Sequence, residues 1–232
     1  VHLRADVGPY DVAVIESDDP HALVPWLRDK GFRVTAPMEP YVAEYASRGM
    51  KFLALRLQPE SKVSDIAPFR MTLPGTSPSV PLKMTALAAE HEMGIVVFVL
   101  GAQRYEGANW PNLEIPADEL TYDWRTGRNN WTTAVARSVD RAGGQGWVTD
   151  TASSTENYIS RLEATSPVDE DQAEAVDALL ALMRPHAYIS RMYTRLSAEE
   201  MTSDPIFRRS AGGDVERWRM IPPEEGTDSC GW

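Results

Sequence analysis

"AYISRMYTRLSAEEMTSDP", residues 187–205, changes from one residue pattern to another. Residues 187–196 alternate between apolar and polar side chains, which is typical of a strand with one buried face. Ser197 and Glu200 then form the S-x-x-E pattern of a capping box, which predicts one helical turn that begins at Ser197. Residues 202–205 end that turn. The capping box accounts for both side chains, so neither requires a catalytic role.

Similar strand patterns occur in the first half of the chain. They predict strands over residues 10–17, 50–59, 68–74, 80–88 and 94–102, and "AEHEMG" (89–94) predicts a short hairpin between the last two. Two helices are expected between the first two strands. The first begins after Asp19 and Pro20 and ends at Gly31, and the second covers residues 38–48.

The second half of the chain contains longer helical patterns. We predict helices over residues 129–144 and 166–183, with a short strand over 144–152 between them. The strands follow one another through short links, and the helices occur in separate groups rather than in strict alternation with strands. The sequence therefore predicts an α+β fold with a mainly antiparallel sheet and separated groups of helices.

The length of 232 residues (25.8 kDa) suits one large domain or two small ones. We predict a single α+β domain over residues 1–210 and an irregular tail over 211–232, which is rich in glycine, proline and charge. Val1 stands in a strand-like run without a basic leader segment before it. This start predicts that the chain is the C-terminal part of a longer precursor.

The formal net charge is −11, from 34 acidic and 23 basic residues. An acidic surface repels phosphate backbones and anionic lipids, so binding to nucleic acid or to a membrane surface is disfavoured. The longest apolar stretch, "GIVVFVLGA" (94–102), is far shorter than the roughly 20 residues that cross a bilayer. We therefore expect no nucleic-acid partner and no membrane span.

Residues 103–131 have no clear period but are rich in aromatic side chains. Trp110, Tyr122 and Trp124 lie in this region. They have two possible roles: to pack a long loop, or to form an interaction surface, because tryptophan and tyrosine are enriched where proteins meet partners. If the region binds a partner, these three residues are the candidates.

Common catalytic and metal-binding motifs are incomplete in this chain. "HEMGI" (91–95) begins like the zinc motif H-E-x-x-H, but Ile95 replaces the second histidine. No G-x-S-x-G is present, the glycine clusters lack the Walker lysine, and "DEDQAE" (169–174) lacks the central glycine of a calcium loop. We predict no catalytic, cofactor or metal site from sequence.

Several segments in order resemble the DUF2330 family of uncharacterised bacterial proteins: "VGPYDVAVIESDDPHALVPWLRDKGF" (7–32), "YASRGMKFLALRL" (45–57), "VPLKMT" (80–85), "GWVTDTAS" (146–153) and "YISRMYTRLSAEEMTSDPIF" (188–207). The resemblance implies an extracytoplasmic location, since many members carry a secretion signal. It also implies a cysteine-bearing N-terminal half that this chain lacks. It assigns no catalytic residue.

These observations lead to a functional hypothesis and a rival. We predict an exported binding or assembly module; the rival is a hydrolase whose site is completed by the missing N-terminal half. The expected partners are that precursor segment or neighbouring copies of the chain, because strands exposed at a sheet edge pair readily with another chain. Cys230, the single cysteine, cannot form an internal disulfide and is a candidate for an intermolecular one.

Overall fold

The computed structural model describes residues 2–17, 19–73, 75 and 77–216. The chain divides into two compact units, residues 1–75 and 76–232. The sequence predicts one domain over 1–210, and whether the two units fold cooperatively as one domain stays a prediction. Residues 217–232 of the predicted irregular tail, which include Cys230, and the first residue, Val1, lie outside the described residues.

The first unit is a three-stranded antiparallel sheet with two helices. The sheet order is β1 (Leu3–Val7), β2 (Tyr10–Ile15), β3 (Phe52–Leu57), and the helices are α1 (Pro20–Asp29) and α2 (Glu39–Ser47). Asp19 caps α1 by accepting a hydrogen bond from the His21 N–H at 2.9 Å, as its sequence predicts. Short 3₁₀ helices cover Ala36–Met38 and Val63–Asp65.

Both this sheet and its two helices bury apolar side chains. β2 is buried along most of its length, and α1 and α2 pack against each other through the buried residues Leu23, Leu27, Val42 and Tyr45. Asp11 is the buried charge of β2. It accepts hydrogen bonds from Arg4 at 3.1 Å and from Arg56 at 2.6 Å, and these bonds keep the pKa of the Asp11 carboxyl below its usual value.

The second unit contains the remaining strands and helices. In chain order they are α3 (Leu82–Thr85), β4 (Met93–Gly101), β5 (Tyr105–Gly107), β6 (Asn112–Leu113), β7 (Tyr122–Asp123), β8 (Arg128–Asn129), α4 (Trp131–Arg141), β9 (Trp147–Ser154), α5 (Thr155–Glu163), α6 (Glu170–Met183), β10 (Tyr188–Leu196) and β11 (Phe207–Arg209). Short 3₁₀ helices cover Ala86–Ala88, Ala117–Glu119 and Ala198–Glu200.

A four-stranded sheet in the order β4-β10-β9-β6 organises this unit. β10 pairs antiparallel with β4 and β9, while the short β6 pairs parallel with β9. Two further pairs, β11 with β5 and β7 with β8, are antiparallel. The predicted α+β class with mainly antiparallel sheets is confirmed.

One face of the central sheet forms the core with α4. Met192 and Leu196 of β10 point to this face at spacing four, and Ala134, Val135 and Val139 of α4 are fully buried against the same cluster. Trp147 lies within it, with its ring centroid 5.6 Å from that of Trp110 and 5.3 Å from that of Phe207. The opposite face carries Arg191, Tyr193 and the exposed Val96 and Phe98.

Three sequence-based assignments are corrected by the structure. Residues 80–88 form α3 and a 3₁₀ helix rather than a strand, because a short run of Leu, Lys, Met and Ala after Pro81 suits a helix start. The predicted hairpin over 89–94 therefore does not form. Residues 68–73 are irregular; nearby, Tyr10 donates a hydrogen bond to the Ala67 carbonyl at 2.8 Å and contacts Phe69 edge-on.

Besides α3, the helix α5 was not predicted from the sequence. α5 follows β9 without a break, and the Ser154 hydroxyl accepts a hydrogen bond from the Glu156 N–H at 3.3 Å to cap its start. The predicted helix over 166–183 is present as α6, capped by Asp169, whose carboxylate accepts from the Gln172 N–H at 2.8 Å. Among the described residues, no helix has the length and apolar character to span a bilayer.

Candidate functional site

An open groove of about 1,070 Å³ lies in the second unit. Strand residues of β9 and β10, one face of α5, the segment around β7 and β8, and residues 214–216 line it. A groove of this size is at the upper end of the range for small-molecule sites. Its lining consists of Leu120, Tyr122, Asn129, Trp131, Thr132, Asp150, Thr151, Ala152, Ser153, Asn157, Tyr158, Arg161, Arg191, Tyr193, Asp214, Val215 and Glu216.

A break in strand register places a carboxylate in this groove. Arg191 of β10 pairs with Thr151, but the next residue, Met192, pairs with Thr149, so Asp150 is an extra residue in β9. Bulges of this kind often redirect a side chain at a functional site. Asp150 is 6% exposed, and its Oδ2 forms an ion pair with the Arg191 guanidinium.

The second oxygen of this carboxylate is not satisfied by the protein. Asp150 Oδ1 is buried and has no hydrogen-bond partner among the residues described, and the neighbouring Thr151 hydroxyl is in the same condition. Buried polar atoms in folded proteins almost always have hydrogen-bond partners, because burying such an atom without a hydrogen bond costs about 1–3 kcal/mol. Both residues line the groove, so a small shift of the groove lining would let a bound molecule supply these bonds to the two buried oxygens.

The Arg191 side chain is held from two directions. Besides its ion pair with Asp150, its guanidinium carbon lies 5.6 Å from the centroid of the Phe98 ring, a cation–π distance. Phe98 is 53% exposed and is the register partner of Arg191 across the two strands. The ion pair and the cation–π contact together therefore fix the orientation of Asp150 and Arg191 beside the groove.

Helix α5 contributes one group of polar and aromatic side chains. Asn157 and Arg161 are four residues apart and share a helix face, and Tyr158 lies beside them. Asn157 and Arg161 are exposed, while Tyr158 is partly buried. A cap at Ser154 fixes where the helix starts, which fixes the direction of these side chains over the strand that precedes it.

The segment around β7 and β8 contributes a second group. Tyr122, Asn129 and Trp131 line the groove, and Asn129 Oδ1 accepts a hydrogen bond from the Trp131 N–H at 3.1 Å. The hairpin is held by Asp123, which accepts from the Arg125 N–H at 2.9 Å and from the Thr126 hydroxyl at 2.8 Å. These bonds lower the pKa of the Asp123 carboxyl.

Residues 214–216 reach the same groove from the end of the described chain. Val215 exchanges backbone hydrogen bonds with Ala152 of β9 at 2.7 and 2.9 Å. Asp214 accepts a hydrogen bond from the Tyr188 hydroxyl. Burial, and secondarily the Asp214 carboxylate, raises the pKa of Tyr188 to about 12, so this phenol keeps its proton and remains a donor.

The three aromatic residues singled out from the sequence have different environments. Trp110 is 2% exposed, stacks on Trp147 and donates to the Ser203 hydroxyl at 2.9 Å, so it belongs to the core and offers no accessible surface. Tyr122 lines the groove. Trp124 is 73% exposed and contacts Tyr122 edge-on with ring centroids 4.6 Å apart. Whether Tyr122 and Trp124 bind a partner stays a prediction.

The capping box at Ser197 is present and has a structural role. The Ser197 N–H donates to Glu200 Oε2 at 2.7 Å, and its hydroxyl accepts from the Glu92 N–H at 3.0 Å and contacts His91 Nδ1 at 3.0 Å. His91 thus joins two loops rather than forming a ligand set. Across the described residues, no group of three His, Cys, Asp or Glu side chains converges as a metal site requires.

Sequence reasoning did not identify Asp150, Thr151 and Arg191. The one available signal was a charged residue inside the apolar-rich strand "GWVTDTAS", since an unpaired charge is rarely buried. Its significance depends on the bulge and on the partner strand, neither of which a single sequence reveals. The α5 contribution was missed because the helix itself was not predicted.

The chain belongs to the DUF2330 family, described as an uncharacterised protein conserved in bacteria, whose family profile matches residues 1–208. No curated protein is significantly similar to this chain. No solved structure is significantly similar to it either.

Proposed function

We propose that this protein is a binding module that holds a small polar molecule in the groove over β9 and β10. The observation that carries the proposal is the Asp150 carboxylate, buried beside the groove with one oxygen paired to Arg191 and the other without a partner among the described residues. A fold that leaves such an atom unsatisfied loses stability, and a ligand that donates a hydrogen bond to it recovers that loss.

The rest of the groove supports binding rather than simple packing. Aromatic side chains provide apolar surface, and polar or charged residues make up more than half of the lining, which suits a polar ligand better than an apolar one. The ion pair with Arg191 and the cation–π contact to Phe98 hold Asp150 in place before a ligand arrives. A preorganised site loses less conformational entropy on binding.

We further propose that the module works outside the cytoplasm and associates with its precursor segment or with copies of itself. The location is supported by the family resemblance. Association is supported by β4, the terminal strand of its sheet, which exposes Val96 at 41% and Phe98 at 53% and carries no charged residue. A single 25.8 kDa species in native mass spectrometry of the purified protein, with and without reductant, would contradict association.

Ligand-observed saturation-transfer NMR tests the binding proposal. The protein is screened against a library of small polar metabolites, and hits are repeated with Asn157→Trp, which places a large side chain at the exposed rim of the groove. We expect at least one hit whose signal disappears in this variant. The reason is steric, since Asn157 lines the groove and an indole occupies space that the ligand needs.

Ser160→Trp is the matched control. Ser160 is exposed on the same helix but does not line the groove, so the same substitution there leaves the groove open. We expect Ser160→Trp to retain the NMR signal of every hit. If no compound distinguishes Asn157→Trp from Ser160→Trp, the groove is not a binding site for small polar molecules. The rival hypothesis of a hydrolase stays a prediction, tested by turnover assays on the precursor.

A further inference from the structure

The side chains that line the groove also restrict the class of ligand. Four are aromatic and partly buried: Tyr122, Trp131, Tyr158 and Tyr193. Their rings come from four different elements, so apolar flat surface is distributed around the groove rather than collected in one apolar pocket. A ligand that fits must present weakly polar faces to several rings while it meets polar groups between them.

The charges of the groove are nearly balanced. Its lining contains the carboxylates Asp150, Asp214 and Glu216 and the guanidinium groups Arg161 and Arg191. Asp150 is engaged by Arg191, and Asp214 accepts a hydrogen bond from the Tyr188 hydroxyl. A phosphate finds no excess of positive charge here, and a polyamine finds an excess of only one carboxylate, so the electrostatics favour a ligand with little or no net charge.

The hydrogen-bonding groups require a ligand that both donates and accepts. Asp150 Oδ1 can only accept, whereas the Thr151 hydroxyl can donate or accept, and both lack partners within the described chain. The Asn157 amide and the Arg161 guanidinium on the rim supply further donors. A hydroxyl group is one neutral ligand group that serves an acceptor and a donor alike.

We infer that the ligand of this groove is a neutral carbohydrate, a molecule whose hydroxyl groups meet Asp150 and Thr151 and whose C–H faces pack on the surrounding aromatic rings. This inference rests on the proposed binding function and names its ligand class. The volume of about 1,070 Å³ exceeds the need of one sugar ring and suits an oligosaccharide.

Trp124 extends this surface beyond the groove. Its ring is 73% exposed and packs against Tyr122, which lines the groove, so a continuous aromatic surface runs from the groove to solvent. A sugar unit outside the groove can stack on Trp124, whereas a monosaccharide held at Asp150 has no such outer unit. Trp124→Ala is therefore expected to weaken oligosaccharide binding about 2- to 10-fold and to leave short sugars unchanged.

The test is a glycan array of neutral oligosaccharides followed by calorimetric titration of the hits, with spermidine, inorganic phosphate and a neutral tripeptide titrated beside them. We expect a neutral oligosaccharide to bind, Asn157→Trp to abolish its binding, and Ser160→Trp to keep its affinity within 2-fold. Trp124→Ala should weaken the binding of oligosaccharides and leave the binding of short sugars unchanged. Circular dichroism of each variant, recorded before the titrations, checks that it is folded.

Two different failures are distinguishable. If spermidine, phosphate, the tripeptide or a non-sugar metabolite binds in a manner that Asn157→Trp abolishes while no sugar does, the carbohydrate inference is overturned and the binding function stands. If no probe and no library compound shows binding that Asn157→Trp abolishes, both are overturned. An oligosaccharide that binds equally well to Asn157→Trp and to the unaltered protein also overturns the inference, because it binds elsewhere.

Discussion

Two stacked tryptophans in the core differ in the hydrogen bonding of their indole N–H groups, and this difference predicts different stability costs when each is replaced by phenylalanine. Trp110 is 2% exposed and Trp147 fully buried, with ring centroids 5.6 Å apart and planes inclined by 19°. Trp110 donates its indole N–H to the Ser203 hydroxyl at 2.9 Å. The indole N–H of Trp147 is buried without a partner among the described residues. We compare Trp110→Phe with Trp147→Phe.

Both substitutions remove the same atoms, so their common cost cancels in the comparison. Replacing indole by phenyl removes roughly 40 Å² of buried apolar surface, worth about 1 kcal/mol. Trp110→Phe also loses a hydrogen bond worth about 1 kcal/mol, for a total near 2 kcal/mol. Trp147→Phe instead removes an unsatisfied donor whose burial costs about 1–3 kcal/mol. Its free energy of unfolding should therefore be about equal to that of the unaltered protein or higher.

Urea unfolding followed by far-ultraviolet circular dichroism measures the difference, since the tryptophan signal itself changes with the substitutions. Trp147→Phe should have an unfolding free energy at least about 2 kcal/mol above that of Trp110→Phe. Trp147→Ala serves as a control for packing and should cost about 3–5 kcal/mol. If Trp147→Phe costs as much as Trp110→Phe, the indole N–H of Trp147 has a partner in solution and the reasoning fails.

Three further outcomes follow from other sites. Burial, with the Asp140 carboxylate beside it, raises the pKa of Glu200 above its usual 4.5. The free energy of unfolding should therefore fall as pH rises from 4.5 through the folded-state pKa of Glu200. In urea midpoints measured against pH, Glu200→Gln should flatten this fall. Asp11 has a lowered pKa, so its contribution is present above 3.8 and lost as pH falls through the folded value, and Asp11→Asn should flatten that acid limb. A Cβ on Gly107 would lie 2.9 Å from the Trp110 carbonyl oxygen, so Gly107→Ala should cost about 1–3 kcal/mol in thermal or urea unfolding; an unchanged midpoint would contradict that packing.

The sequence was informative where the local pattern and the tertiary environment agree. Residues 187–196 alternate because β10 lies in the sheet with one face on the core, and the strand is present as predicted. The capping box at Ser197 and the helix over 166–183 were also predictable, because caps depend on residues within three or four positions. A short apolar run such as residues 80–88 is compatible with either a strand or a helix, and here the tertiary structure contains a helix.

The groove was not predictable in this way, because its residues come from separate parts of the chain. Tyr122 was singled out for its residue type, but the same reasoning selected Trp110, and only packing shows that one lines a groove while the other is buried. The sequence by itself determined the family, the α+β class and the net charge of −11. Only the tertiary structure decided that a one-residue bulge directs Asp150 toward Arg191, since strand register is a relation between segments about 40 residues apart and no local pattern encodes it.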